Sequence, residues 1–190
     1  QVLHEIYREE SGKIISVLTK IFGATNLNLA EDVMQEAYIE ALENWGNEIP
    51  KNPTAWIYSV ARNKALNLVN RNKYKEEYQN EATHFLTSDW TSDAALDQLF
   101  SEEEMKDNQL KMMFICCTPE ISAEAQTTLI LKTLCGFGIP EIAKAFLIAP
   151  DTINKRLVRA RKILRSVNAL FTWPEEDEIN QKLSNVLQTI

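Results

Sequence analysis

The sequence predicts an all-α protein of two small helical domains joined by an acidic linker. Three observations carry that expectation. Apolar residues recur at three- and four-residue steps through most of the chain, the period of amphipathic helices, and no stretch alternates as a strand would. Only five glycines and six prolines interrupt 190 residues, which suits long helices. The periodicity lapses over residues 76–107, where ten acids and one base lie among Ser, Thr and Asn. That is the composition of a linker with at most short helices. The divisions expected are 1–75, 76–107, 108–171 and a tail at 172–190.

Each element follows from its own pattern. Residues 5–22 carry Ile6, Ile14, Ile15, Val17, Leu18, Ile21 and Phe22 at roughly helical spacing. Residues 28–45 place Ala30, Val33, Met34, Ala37, Tyr38, Ala41, Leu42 and Trp45 on one face, with Asn28 and Glu31 spaced as a capping box. A polar loop follows at 46–54. Asn52 and Pro53 then form a cap and first turn for a helix to about Tyr74. Its expected core positions are Ile57, Val60, Ala61, Ala65, Leu68 and Val69, with Lys64, Asn67, Arg71 and Lys75 on another face. Beyond the linker, helices are expected at 109–116, 122–134, 140–146 and 150–170.

A net charge of −7 argues at first against a nucleic-acid partner. Its distribution reverses the argument. Residues 51–75 hold six bases and no acid, and residues 108–174 hold nine bases against four acids. Two basic blocks separated by acidic ones say more about partners than the total does. The three cysteines, with Cys116 and Cys117 adjacent, are not a disulfide framework. They read as buried thiols in a reducing cytosol. His4 and His84 are isolated, and no metal set, nucleophile–base pair or phosphate-binding glycine loop is visible, so neither an enzyme nor a cofactor is expected. No apolar run reaches a membrane span and no signal peptide is apparent. The chain opens on Gln1 rather than Met, so upstream residues are expected.

The sharpest local feature is IPEIAKAFLIAPDTINKRLVRARKILR at 139–165. Ile142, Ala143 and Phe146 face inward from a short helix, Leu147 and Ile148 plug a tight turn, and Ile153, Leu157, Ala160 and Leu164 face inward from a second helix. This is a helix-turn-helix pattern. Six bases and no acid lie between Thr152 and Arg165, suited to phosphates and guanine edges. The acids of residues 28–45 avoid the apolar stripe, forming either a solvated face or a docking face for a basic partner. Residues 53–75 interleave bases with Trp56, Tyr58 and Tyr74, which suits single-stranded nucleic acid if the rings are exposed. Trp56 and Tyr58 cannot both face one core, so at least one is expected near the surface.

On these residues a resemblance becomes plain. LAEDVMQEAYIEALENW (29–45) resembles region 2.2 of bacterial sigma factors, and NPTAWIYSVARNKALNLVNRNK (52–73) resembles regions 2.3 and 2.4 of the extracytoplasmic-function (ECF) class. AEAQTTLILKTLCGFGIPEIAKAFLIAPDTINKRLVRARKIL (123–164) is similar to regions 4.1 and 4.2, and no region 3 is recognisable. The resemblance implies a promoter-recognition subunit of RNA polymerase, working in the cytoplasm. Asp32, Gln35 and Glu36 would dock on a basic coiled coil of core polymerase. The loop 46–54, including Asn52, would capture an unstacked −10 base, and Arg62, Asn63, Lys64, Asn67 and Arg71 would hold that strand. Thr152, Asn154, Lys155, Arg156 and Arg159 would read the duplex −35 element, while the acidic linker threads the polymerase channel. Ala149 stands where a capping Ser is common. MMFICCTPEISAEAQ (112–126) further resembles the subgroup with a C-terminal helical-repeat extension, with Thr118-Pro119 in place of its His-Pro. Residues 172–190 are then the start of that extension, with Ile179, Leu183, Val186, Leu187 and Ile190 forming an apolar stripe, so the chain is expected to continue beyond Ile190. Regulation would come from that extension or from an anti-sigma factor. The alternative is a helix-turn-helix regulator that binds duplex DNA without polymerase.

Overall fold

Helices and one helical turn account for every regular element among the described residues. The computed structural model of the chain describes residues 2–46, 48–79, 93–167, 171, 173–174 and 176–187, and among them there is no strand. The first unit contains α1 (Val2–Phe22), a 3-10 turn (Ala24–Asn26), α2 (Leu27–Trp45) and α3 (Pro53–Gln79). Each expected core residue of α1 is buried, and Ile57, Ala61, Ala65 and Val69 of α3 join them. Val60 and Leu68 are half-buried at the rim. Asn52 caps α3 as its sequence implies, its Oδ1 accepting from the Ala55 N–H at 3.0 Å. Edge-to-face pairs tie the helices together: Tyr7 with Tyr38 at 4.9 Å and Trp45 with Trp56 at 5.5 Å. Such pairs add about 0.5–1.5 kcal/mol each beyond the area they bury.

Two expectations for α2 are corrected. Asn28 is not its cap, because the 3-10 turn runs straight into the helix and leaves no extended residue there. The capping position falls to Asn26, whose side chain donates instead to the Phe22 carbonyl at 2.7 Å. Leu42 is not in the core but 68% exposed. It lies seven residues after Gln35 and so shares that residue's face, beyond the edge of the buried stripe.

The acidic segment is partly helical. In α4 (Asp93–Leu99), Leu96 and Leu99 are buried. The next helix, α5 (Glu102–Cys116), starts at 102 rather than at the expected 109. Ser101 caps it, and Glu102, Glu103 and Glu104 fill the first turn, where the helix dipole favours negative charge. The same acids that give the segment its linker composition are a helix start. Residues 80–92 of the expected linker lie outside the described residues.

The second unit continues with α6 (Ala123–Thr133), α7 (Ile139–Phe146) and α8 (Pro150–Val167). Ile142, Ala143, Ile153, Leu157, Ala160 and Leu164 are buried between these helices, as expected, and Phe146 is half-buried. The Glu141 carboxylate accepts from the Gly138 N–H at 2.7 Å and closes the start of α7. At the turn, the Ile148 N–H returns to the Ala143 carbonyl at 3.0 Å, a Schellman-type closure. That closure needs a left-handed residue, and Leu147 supplies it at φ 56°. Leu147 therefore points outward, 91% exposed, and only Ile148 plugs the turn. A side chain in this conformation costs roughly 1–2 kcal/mol, which glycine avoids. Leu147→Gly is thus expected to stabilise the protein by about 1 kcal/mol, partly offset by the freedom of glycine in the unfolded chain. Urea unfolding followed by circular dichroism measures it.

The tail contains one further helix, α9 (Glu176–Leu187). It packs on α5 and α6. Val186 is buried and Ile179 half-buried, while Leu187 is 62% exposed. Ile190 and the acidic side chains Glu175–Glu178 lie outside the described residues. The second unit rests on the first, with α5 along α1 and α8 against the 3-10 turn.

Candidate nucleic-acid interface

The buried edge of α8 determines what its opposite edge offers. With Ile153, Leu157, Ala160 and Leu164 facing α6 and α7, the side chains of Thr152, Asn154, Lys155, Arg159 and Lys162 are exposed. Thr152, Lys155, Arg159 and Lys162 follow at three- and four-residue steps and form one line along the helix. Arg156 is half-buried, beside Glu120, Glu124 and Ile163 in a shallow cleft, and its Nη1 has no hydrogen-bond partner among the described residues. The structure thus gathers all five residues expected at the duplex on one helix, four open and one recessed. Arg161 departs from the expected basic surface, because its guanidinium donates to Glu31 at 2.7 Å.

The basic helix α3 is more engaged than its sequence suggests. Asn63, Asn67 and Arg71 are exposed at four-residue intervals. Arg62, by contrast, meets Asp97 of α4 at 2.6 Å, and its Nη1 donates to Asn63 at 3.2 Å. Lys64 bridges to Glu36 at 3.3 Å and to Glu40 at 3.2 Å. Neither Trp56 nor Tyr58 is open for stacking on a base. Trp56 is half-buried on Trp45, and the Tyr58 hydroxyl donates to Glu10. Burial and the Glu10 carboxylate push the Tyr58 phenol well above its ordinary range. Both rings are half-buried at the edge of the core and face different neighbours, Trp56 toward α2 and Tyr58 toward α1. The side chain of Tyr74 lies outside the described residues.

On α2, Asp32, Gln35 and Glu36 are exposed and adjacent. Sequence reasoning missed two residues beside them: Ile39, 53% exposed, and Leu42. The signal is present in the seven-residue step from Gln35 to Leu42 and the three-residue step from Glu36 to Ile39. An apolar centre rimmed by acids is the usual anatomy of a protein-docking face. The acidic face also has internal partners that the sequence does not reveal, Lys64 for Glu36 and Glu40, and Arg161 for Glu31.

The cysteines are free thiols. Cys116 and Cys117 are buried and Cys135 is half-buried. Burial raises all three, Cys117 to about 11, which keeps them protonated and unreactive near neutral pH. Among the described residues no group of His, Cys, Asp and Glu could hold a metal ion. Among them, too, no helix is long and apolar enough to cross a membrane.

Comparison with known proteins bears on the two helical units. The family profile described as Sigma-70 region 2 matches residues 6–74, covering α1 to α3. The profile described as Sigma-70, region 4 matches residues 111–164, covering the helix-turn-helix. The chain is 31% identical over 166 residues to an uncharacterised protein, R00370, of Rhizobium meliloti, covering 87% of this chain. It spans 39% of the length of that relative. It is 23% identical to the ECF RNA polymerase sigma factor SigX of Bacillus subtilis, over 87% of this chain and 81% of SigX. It is 27% identical to the ECF RNA polymerase sigma factor SigW of the same organism, over 85% of this chain and 84% of SigW. No solved structure matches the chain. With regions 2 and 4 in that order, and similarity to named members over most of its length, the chain belongs to the ECF class of the sigma-70 family.

Proposed function

We propose that this protein binds core RNA polymerase and directs it to promoters, with the first unit docking and holding the −10 strand and α8 reading the duplex −35 element. The observation that carries the reading is the pairing of two matched regions, each with its own exposed surface. An acidic face on α2 and a basic line on α8 are chemically opposite, so they suit different partners: a basic protein surface and DNA. Asp32, Gln35 and Glu36 supply the charge for docking, and Ile39 and Leu42 supply the apolar centre where binding energy concentrates. Glu36 must exchange Lys64 for polymerase. Its side chain is 62% exposed, and an ion pair so wetted costs little to open.

Asn63, Asn67 and Arg71 form the open part of the −10 surface. Arg62 joins them on release from Asp97, and Lys64 on release from Glu36 and Glu40. The exposed loop containing Asn52 precedes them and suits capture of an unstacked base, with Asn52 also capping α3. Such a function needs no catalytic residue.

Reconstitution tests it. Added to purified core polymerase, the protein should form a complex and start transcripts at discrete genomic sites, mapped by sequencing their 5′ ends. Sequence-specific duplex binding by the protein alone, with no association with core, would instead favour the regulator without polymerase.

A further inference from the structure

We infer that Asp151 and Val158 of α8 choose bases within the −35 element, Val158 by meeting a thymine methyl and Asp151 by accepting from a cytosine amino group. Their role rests on the promoter function proposed above. Steps of four, three and four residues place Asp151, Lys155, Val158 and Lys162 in one ridge along α8. The ridge lies opposite the buried edge of Ile153, Leu157, Ala160 and Leu164, and all four of its residues are exposed, Val158 at 65%. In order it presents an acid, a cation, an apolar side chain and a cation.

Neither Asp151 nor Val158 suits a surface built only to hold phosphates. Backbone contacts fix register and carry no base information, and cations make them best. A carboxylate facing phosphates is repelled, and a valine offers them nothing. Local structure does not call for Val158 either. It buries little within the chain, and a β-branched residue is a poorer helix former than Lys or Ala. Asp151 sits in the first turn of α8, where a carboxylate suits the helix dipole. That value is independent of any base. In the major groove both side chains find a match. The thymine C5-methyl is the apolar group displayed there. Cytosine displays an amino donor alone, whereas adenine adds an acceptor and guanine and thymine show acceptors, which a carboxylate cannot pair with.

A helix-turn-helix lays its second helix in the major groove with the N-terminal residues at base edges. Asp151 is among those residues. Val158 follows seven residues later, about 10 Å along the helix axis. That is about three base-pair steps, so the two choices fall on different base pairs of one element. Lys155 and Lys162 stand between and beyond them on the ridge and supply attraction that does not depend on sequence.

Reconstituted holoenzyme, offered promoter duplexes randomised at the −35 element, tests this when the retained DNA is sequenced. Wild type should select thymine at one position and cytosine at another, about three base pairs away. Val158→Ala should lose the thymine preference alone. Replacing that thymine with deoxyuridine deletes only its methyl group. It should weaken wild-type binding about fourfold, and Val158→Ala should bind both duplexes alike. Asp151→Asn should shift the second preference from cytosine to adenine by roughly tenfold, because an amide pairs with adenine through two hydrogen bonds. Thermal unfolding of the same variants reads the competing role: stability lost in Asp151→Asn with base choice unchanged would reduce Asp151 to a helix-dipole partner. Each assignment falls if its variant keeps the wild-type preference, and the promoter function then still stands. Wild-type holoenzyme that selects no −35 sequence, or a protein that forms no holoenzyme, would overturn the promoter function and both assignments with it.

Discussion

Reversing two charges on α2, Asp32→Lys with Glu36→Lys, is expected to weaken core polymerase binding by roughly 100-fold, about 2.7 kcal/mol. The substitution does more than delete two attractions. It places two cations before a basic surface, and like charges brought together at an interface cost several kcal/mol. Stability should barely change. Both side chains avoid the buried stripe, and the pair from Glu36 to Lys64 is an exposed one, worth less than about 1 kcal/mol. Fluorescence titration with core polymerase measures the first effect and thermal unfolding the second. Unaltered affinity in the double variant would move the docking face away from α2. Ile39→Ala with Leu42→Ala separates the apolar contribution, since it leaves the charges in place.

Removing the centre of the basic line, Lys155→Ala with Arg159→Ala, is expected to abolish duplex −35 recognition while leaving the −10 interaction intact. Both side chains are exposed on α8 and outside its buried edge, so the fold should tolerate the change. Two outcomes distinguish the chemistry. If the residues neutralise phosphates, binding weakens equally for all sequences, and the slope of log affinity against log salt falls by about 0.9 for each phosphate no longer neutralised. If Arg159 reaches a guanine edge, about 1–3 kcal/mol of discrimination disappears at a single base position. A −35 footprint equal to that of wild type would refute the assignment. Arg161 offers a contrast: its removal should be felt at Glu31 before it is felt on DNA.

How much is legible in the sequence depends on the range of the interaction concerned. The helices of both units, the inward residues of the helix-turn-helix and the cap at Asn52 follow from periodicity and local hydrogen bonding, which act within a few residues. The five α8 residues assigned to DNA are readable for the same reason, because one amphipathic helix with a buried edge must present the other. Some local features still mislead. Leu42 sits at the margin of an apolar stripe and falls on its wet side, and Leu147 has the side chain of a plug where the turn requires a left-handed backbone. The start of α5 is hidden because three acids at a helix N-terminus have the same composition as a linker.

What the linear order determines, then, is most of the helices, their buried faces and the two oppositely charged surfaces. What only the tertiary structure decides is which of those charges are already engaged within the chain. Glu31 and Arg161 are 130 residues apart in sequence, and nothing in either helix announces the other. The same holds for Arg62 with Asp97, Lys64 with Glu36, and Tyr58 with Glu10. The physical reason is that amphipathic periodicity specifies which face of a helix is dry. It does not say which helix will lie against that face, and an ion pair between units exists only once that packing is chosen.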